Sequence, residues 1–124
     1  MTEKIVVPTE NQEGIKALIA EHFGRSPYFT IVELDNGKIV NVSTVENTSE
    51  HVGGVGSPFD ALVQINPKAV IVNGMGPRGI MNFNNAGVKV LRANSVIVSK
   101  IVEAYTAGQL EDLTEGCSEA HHHH

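Results

Sequence analysis

The stretch YFTIVELDNGKIVNVSTVEN, residues 28–47, decides how the fold of this chain begins. Two runs rich in β-branched and aromatic residues flank Asp35, Asn36 and Gly37. Asn36 and Gly37 suit the positive φ angles of a type I′ turn, whose twist matches that of two paired strands. The pattern therefore predicts a β-hairpin, around which the remaining elements can be placed.

One further strand is predicted before the hairpin, at Lys4–Val7, where Pro8 is expected to close it. Residues 14–24, between this strand and the hairpin, fit one or two helical turns or a loop. The elements after the hairpin are a helix capped by Ser57 and begun by Pro58, the strand AVIVN (69–73), the loop GMGPRG (74–79), the helix IMNFNNAG (80–87), the strand VKVLR (88–92) and a helix over about residues 95–107.

This alternation of strand and helix predicts βαβ units with parallel strands. Joined to the hairpin, it predicts an α/β fold, a three-layer α/β/α sandwich around a mixed sheet of about five strands. We expect one domain over residues 1–108. Residues 109–124 lack periodicity, and we expect them to form a flexible acidic tail that contains cysteine and histidine.

Composition narrows the classes of function. The formal net charge is −5 and no lysine or arginine follows Lys100, which argues against a nucleic-acid partner. No apolar run approaches the length of a membrane helix, and no basic segment followed by an apolar one indicates a signal peptide. The single cysteine, Cys117, leaves no internal disulfide and suits a reducing compartment. We therefore expect a cytoplasmic protein that binds neither nucleic acid nor membrane.

The loop Gly74–Gly79 matches the dinucleotide pattern G-x-G-x-x-G between a predicted strand and a predicted helix. The acidic residue that would bind a ribose about twenty residues later is missing, since Arg92 to Ser95 occupy that region. Three interpretations stay open: a nucleotide site, a loop whose amides and Arg78 bind an anion, or a tight turn that needs glycine. The missing acid counts against NAD and ATP.

Two single histidines, His22 and His51, each adjoin a glycine-containing turn. A histidine in a loop is most often a solvated or structural residue, but an exposed imidazole also binds borderline metals. Cys117 is followed by His121–His124, which are either native metal-handling residues or the remainder of a purification tag. Closed zinc patterns and common catalytic motifs are absent from the sequence, so we do not expect an enzyme.

Several motifs make the chain resemble a known family. They are EHFGRSPYF (21–29), HVGGVG (51–56), VIVNGMGPRGIMNF (70–83), AGVKVLRA (86–93) and AYTAGQLEDL (104–113). In this order they are similar to the dinitrogenase iron–molybdenum cofactor biosynthesis family, the small NifX/NifY-like and NifB C-terminal-domain-like proteins. The resemblance spans nearly all of residues 3–113, and its most specific part is the first motif.

The resemblance implies a ribonuclease-H-like fold with a mixed five-stranded sheet. It also implies that the chain binds, carries or inserts an iron–sulfur-type cluster, such as the iron–molybdenum cofactor or its precursor, and exchanges it with donor or acceptor proteins. A cysteine- and histidine-rich tail is common in the family, which would make Cys117 and His121–His124 native metal-handling residues. The chain lacks the radical-enzyme portion of NifB, so the chemistry of cofactor synthesis is not carried over.

We accordingly predict a small, non-catalytic carrier of a metal cluster or anionic metal cofactor. His22 is the expected metal ligand, with His51 and Cys117 as further ligands, while Arg25 and Arg78 offset the negative charge. The backbone amides around five glycines would line the cofactor: Gly24, Gly53, Gly54, Gly74 and Gly76. The alternatives are a nucleotide- or anion-binding enzyme or sensor that uses the Gly74–Gly79 loop, and a regulatory module whose hairpin edge binds a partner chain.

Overall fold

The computed structural model describes residues 2–47 and 58–113, which form one mixed α/β arrangement. The strands are β1 (Thr2–Thr9), β2 (Tyr28–Asp35), β3 (Lys38–Glu46), β4 (Ala69–Val72), β5 (Lys89–Arg92) and β6 (Glu111–Asp112). The α-helices are α1 (Pro58–Ile65), α2 (Pro77–Asn85) and α3 (Val98–Thr106). Two 3₁₀ turns, Gly14–Lys16 and Phe23–Arg25, lie between β1 and β2. No helix in these ranges is both long and apolar enough to cross a membrane.

The six strands form one sheet in the order β3-β2-β1-β4-β5-β6. The hairpin β2–β3 and the pair β1–β2 are antiparallel, whereas β4 lies parallel to both β1 and β5. Asn36 and Gly37 have φ angles of 55° and 82°, which confirms the predicted type I′ turn. The sheet is therefore mixed, as the sequence predicted.

The predicted number of five strands is wrong because β6 adds a sixth. Glu111 and Asp112, which the sequence analysis assigned to the tail, pair antiparallel with Arg92 and Leu91 of β5. The Leu113 amide also donates to the Val90 carbonyl at 2.7 Å. Two residues cannot show a periodic pattern, so pairing with an existing strand is their only signal. The ribonuclease-H-like description stays a prediction.

Successive residues of the central strands face opposite sides of the sheet and form two cores. Ile5, Val7 and Ile71 face the layer that contains α3, where Val98, Ile101 and Val102 are buried. Val6, Val70 and Val72 face the layer that contains α1 and α2, where Leu62, Ile80 and Phe83 are buried. Helices thus cover both faces of the sheet, in keeping with three layers.

Several element boundaries differ from the prediction. β1 does not close at Pro8, as predicted, but continues to Thr9. Proline is tolerated there because β4 pairs with β1 only at Ile5 and Val6, so the missing amide of Pro8 removes no hydrogen bond between β1 and β4. α2 begins at Pro77, three residues before the predicted start, so Arg78 lies in a helical turn. α3 begins only at Val98, because the preceding residues form bridges and backbone hydrogen bonds with residues 17–19.

Candidate functional site

The topology brings several predicted site segments to one edge of the sheet, where β1, β4 and β5 end. We call this the carboxyl edge. Since β2 is antiparallel to β1, the segment 21–27 enters the sheet at the same edge, and β3 leaves the sheet there at Glu46. The glycine loop after β4 and residues 93–97 after β5 also follow strands that end at this edge. Ligands of open α/β sheets commonly bind beyond the carboxyl ends of parallel strands.

The second 3₁₀ turn presents the polar side chains of the first family motif. His22 precedes the turn with an extended backbone, and its carbonyl accepts a hydrogen bond from the Arg25 amide at 3.3 Å. His22, Gly24 and Arg25 are exposed, while Phe23 is half-buried. The turn is therefore anchored by one aromatic ring and directs its histidine and arginine to solvent.

Phe23 connects this turn to the helix that follows the glycine loop. Its ring centroid lies 5.4 Å from that of Phe29 at the start of β2. It lies 5.6 Å from the ring centroid of Phe83 in α2, in an edge-to-face arrangement. Because Phe83 belongs to α2, this contact holds the His22–Arg25 turn on the same side of the sheet as α2.

Ser26 and Asn47 fix the same turn to the strand ends. The buried Ser26 hydroxyl lies within hydrogen-bonding distance of the carbonyl oxygens of Thr9 and Tyr28, and it can donate to one of them at a time. Asn47 donates its side-chain amide to the Ser26 carbonyl at 2.8 Å and its backbone amide to the Pro27 carbonyl at 3.0 Å. These bonds position the chain at Asn47, beside the turn, before it continues to the segment that contains His51.

The backbone is accessible at Gly24 and at two glycines of the loop, Gly74 and Gly76, although no contact within the described protein requires glycine there. A Cβ atom added at Gly24, Gly74 or Gly76 would meet nothing within 4 Å, and none of the three has a positive φ angle. All three are exposed. Open backbone of this kind allows a ligand to approach closely. Gly79 differs, because a Cβ atom there would lie 2.9 Å from both Cγ and Sδ of Met75.

The N-terminus of α2 adds positive electrostatic potential to the loop. Gly76 is the N-cap without a side chain that could cap the helix, and Pro77 occupies the first turn. Amide donors of a first helical turn lack partners within the helix and favour negative charge. Arg78 is exposed in that turn, and within residues 2–47 and 58–113 neither it nor Arg25 forms a salt bridge. The carboxyl edge is not uniformly cationic, since Glu21 and Glu46 are also exposed there.

The predicted metal ligands are only partly covered by the structure. His51, Gly53, Gly54 and Cys117 lie outside the described residues, and so do His121–His124. Within the described part of the chain, no three histidine, cysteine or acidic side chains group as a metal site would require. β6 runs antiparallel to β5, so the chain moves away from the carboxyl edge there. Leu113, whose amide is bonded to Val90 of β5, lies four residues before Cys117 in the sequence.

Sequence reasoning missed the residues that hold the site together. The contacts of Phe23, Ser26 and Asn47 were not predicted, because they join residues that are distant in the sequence. Phe83 is 60 residues after Phe23, and Asn47 is 21 residues after Ser26. The aromatic and serine residues of the motif EHFGRSPYF were nevertheless visible as an unusual local grouping.

Together these features define a small α/β domain with an exposed, amide-rich edge suited to an anionic ligand. The chain belongs to the dinitrogenase iron–molybdenum cofactor family, whose model matches residues 3–108. An uncharacterized protein of Methanocaldococcus jannaschii is 33% identical over 110 residues, which cover 87% of this chain and 89% of that protein.

Solved structures share the fold. The crystal structure of PH0822 has a TM-score of 0.75 and 29% identity, covering 89% of this chain and 94% of that one. A Thermotoga protein named as a candidate NifB protein has a TM-score of 0.72 and 28% identity, covering 90% and 94%. The apo form of the orange protein from Desulfovibrio gigas, at 20% identity, has a TM-score of 0.74 over 90% of this chain and 92% of that one, and shows the fold alone.

Proposed function

We propose that this protein is a non-catalytic cytoplasmic carrier that binds an iron–sulfur-type cluster, the iron–molybdenum cofactor or a precursor of it at the carboxyl edge. One observation supports this most strongly: the topology gathers the His22–Arg25 turn, the glycine loop and the N-terminus of α2 at one edge of the sheet. Membership of the family supports the identity of the cargo.

The described residues would contribute charge and hydrogen-bond donors more than metal ligands. Clusters with sulfide and thiolate groups carry negative charge, which the guanidinium groups of Arg25 and Arg78 would offset. The open amides at Gly74 and Gly76 would donate to the cluster's sulfur or oxygen atoms. The exposed imidazole of His22 would ligate one metal atom.

The remaining ligands in this proposal come from outside the described residues. His51, with the amides of Gly53 and Gly54, lies in the segment that follows Asn47, and Asn47 donates hydrogen bonds to Ser26 and Pro27, the two residues after the His22–Arg25 turn. Cys117 would act as a transient thiolate ligand from the tail. Donor and acceptor proteins would exchange the cluster with the exposed edge, as expected for a carrier.

Anaerobic reconstitution with iron and sulfide tests this proposal, with bound iron and visible absorption as readouts. We expect His22→Ala and the double variant Arg25→Gln/Arg78→Gln each to lower the bound iron at least about fivefold, since each removes a charged or ligating group. Lys38→Gln is the matched control, because Lys38 is an exposed cation at the start of β3, the end of that strand opposite the carboxyl edge.

The other outcomes are equally informative. If a chain truncated after Glu115 loses iron while both edge variants retain it, the site belongs to the tail and the edge assignment is wrong. If all variants bind as the parent chain does, the named residues do not form the site. Thermal stabilisation by NAD or ATP, without stabilisation by iron and sulfide or by molybdate, would favour the nucleotide-binding alternative instead.

A further inference from the structure

A cavity of about 480 Å³ lies at the opposite end of the sheet from the carboxyl edge. It forms because β1 and the β2–β3 hairpin extend beyond the start of β4, whose pairing with β1 begins only at Ile5. The resulting notch is closed on one side by the last turn of α3. The volume lies within the range typical of small-molecule sites. We call it the amino-edge cavity.

One wall of the amino-edge cavity holds fixed acceptors. Tyr105 donates its hydroxyl proton to Glu3 Oε2 at 2.6 Å, and both side chains are half-buried. This bond leaves the second carboxylate oxygen of Glu3 and a lone pair of the phenol available. The C-terminal turn of α3, which reaches the cavity at Tyr105 and Thr106, adds the negative end of a helix dipole. The wall is therefore suited to an ammonium group.

The rim of the cavity supplies two cations and one carboxylate, that of the exposed Asp112. Lys68 and Lys89 both line it and are exposed. Their backbones are directly joined, since the Lys89 amide donates to the Lys68 carbonyl at 3.2 Å. Among the described residues, neither ammonium group forms a salt bridge within the chain. The two lysines, one just before β4 and one at the start of β5, favour a carboxylate at the rim.

The floor of the cavity is apolar. Leu34 of β2, Leu91 of β5 and Leu110, which precedes β6, line it, and Leu34 and Leu91 are buried. Such a floor would bury an aliphatic or aromatic side chain and contribute hydrophobic free energy. Charge of both signs above an apolar floor is a different arrangement from the amide-rich carboxyl edge.

We propose that the amino-edge cavity binds a free α-amino acid with an apolar side chain. Its ammonium group lies at Glu3 and the end of α3, its carboxylate at Lys68 and Lys89, and its side chain on the three leucines. A zwitterion satisfies both charged walls at once, whereas an anion or a cation satisfies only one of them. This binding is independent of the cluster site.

Titration followed by two-dimensional NMR of the full chain tests this assignment with four small probes. L-Leucine is expected to give saturable shifts confined to residues around the cavity. 4-Methylpentanoate lacks the ammonium group and 3-methylbutylamine lacks the carboxylate, so each is expected to bind at least about tenfold more weakly. Glycine keeps both charges without the side chain and is also expected to bind more weakly.

Variants connect the shifts to named groups. Lys89→Gln and Glu3→Gln are expected to weaken leucine binding at least about fivefold, whereas Arg25→Gln at the carboxyl edge is expected to leave it unchanged. Far-UV circular dichroism confirms that each variant is folded. No saturable shift at ~10 mM leucine, equal binding of either single-charge analogue, or full binding by both cavity variants would overturn the proposal. None of these results bears on iron binding, so the two proposals fail separately.

Discussion

At the scale of single residues, the three glycines of the run Gly74–Gly79 serve different purposes. Gly74 and Gly76 have open space around them, while Gly79 faces Met75 at a distance no Cβ atom could occupy. The G-x-G-x-x-G pattern therefore combines two positions of open backbone with one position fixed by packing. A sequence motif alone does not separate these roles, because all three positions carry the same residue.

Gly79→Ala is expected to lower the free energy of unfolding by about 1 kcal/mol, because moving Met75 from its position against the core costs more than the roughly 1 kcal/mol that alanine gains inside a helix. Gly74→Ala, outside the helix and in open space, is the matched control, with an expected change within about 0.5 kcal/mol. Urea unfolding of both variants measures the difference. A Gly79→Ala chain at least as stable as the control would show that Met75 moves at little cost. Gly74→Ala is also expected to weaken cluster binding, since it covers an open amide.

Tyr105 gives the second prediction at this scale. Burial, the hydrogen bond to Glu3 and the negative charge of Glu3 together raise the pKa of the Tyr105 phenol above its ordinary value of 10.0. As pH rises past 10, the unfolded chain therefore loses this proton before the folded chain does. The contribution to stability is full below about pH 10 and falls as the pH rises toward the folded-state value.

Tyr105→Phe removes both the hydrogen bond and the titration. At pH 7 the variant is expected to be about 1 kcal/mol less stable than the parent chain, a small loss because the pair is partly exposed. Between pH 10 and 11 this difference is expected to shrink, because only the parent chain loses stability through this group. Urea unfolding at pH 7, 10 and 11 gives the comparison. A difference that is constant with pH would contradict the raised pKa.

At the scale of elements, the antiparallel pair β1–β2 contains a polar contact inside an apolar core. The hydroxyls of Thr9 and Thr30 lie 2.9 Å apart and both residues are fully buried. This contact sits where β1 reaches the carboxyl edge, next to Ser26, and so supports the turn that presents His22. Its geometry requires the register in which Thr9 is opposite Tyr28.

Thr9→Val and Thr30→Val are each expected to cost about 1–3 kcal/mol, because each leaves one buried hydroxyl without its partner. The double variant is expected to cost less than the sum of the two, since it removes both hydroxyls at once. Unfolding free energies of the four chains form the test cycle. Strict additivity would show that the two hydroxyls do not interact.

At the scale of the whole molecule, the sheet is completed by residues far from its centre in the sequence. β6 covers β5 through two residue pairs, the 2.7 Å bond from Leu113 to Val90 and an exposed ion pair between Arg92 and Glu111 at 3.7 Å. Leu113 and Leu110 pack against opposite cores. Packing around the sheet thus continues beyond residue 108.

A chain ending at Leu113 and a chain ending at Gln109 isolate this contribution. The shorter chain is expected to be less stable by about 2–4 kcal/mol, because it loses two partly buried leucines and the hydrogen bonds of β6. Thermal and urea unfolding of the two chains measure the difference. Equal stability would show that β6 contributes nothing to the folded state. The exposed ion pair is expected to account for little of the effect.

Much of the fold was predictable because its signals are local. The type I′ turn at Asn36–Gly37, the helix that begins at Pro58 and the short apolar strand at Ala69 each depend on residues adjacent in the chain. The late start of α3 and the strand β6 were not predictable, because both depend on contacts with residues more than fifteen positions away. The candidate site follows the same division: its exposed residues were named, but their supports were missed.

The sequence by itself determined the mixed α/β class, the hairpin and the motifs that indicate the family, because hydrophobic period and turn chemistry act over a few residues. Only the tertiary structure decided that the His22–Arg25 turn and the α2 N-terminus share one face, through the contact of Phe23 with Phe83. It alone placed Glu3 against Tyr105, 102 residues apart, at the other end of the sheet. Such contacts depend on strand order and direction, which no local pattern specifies.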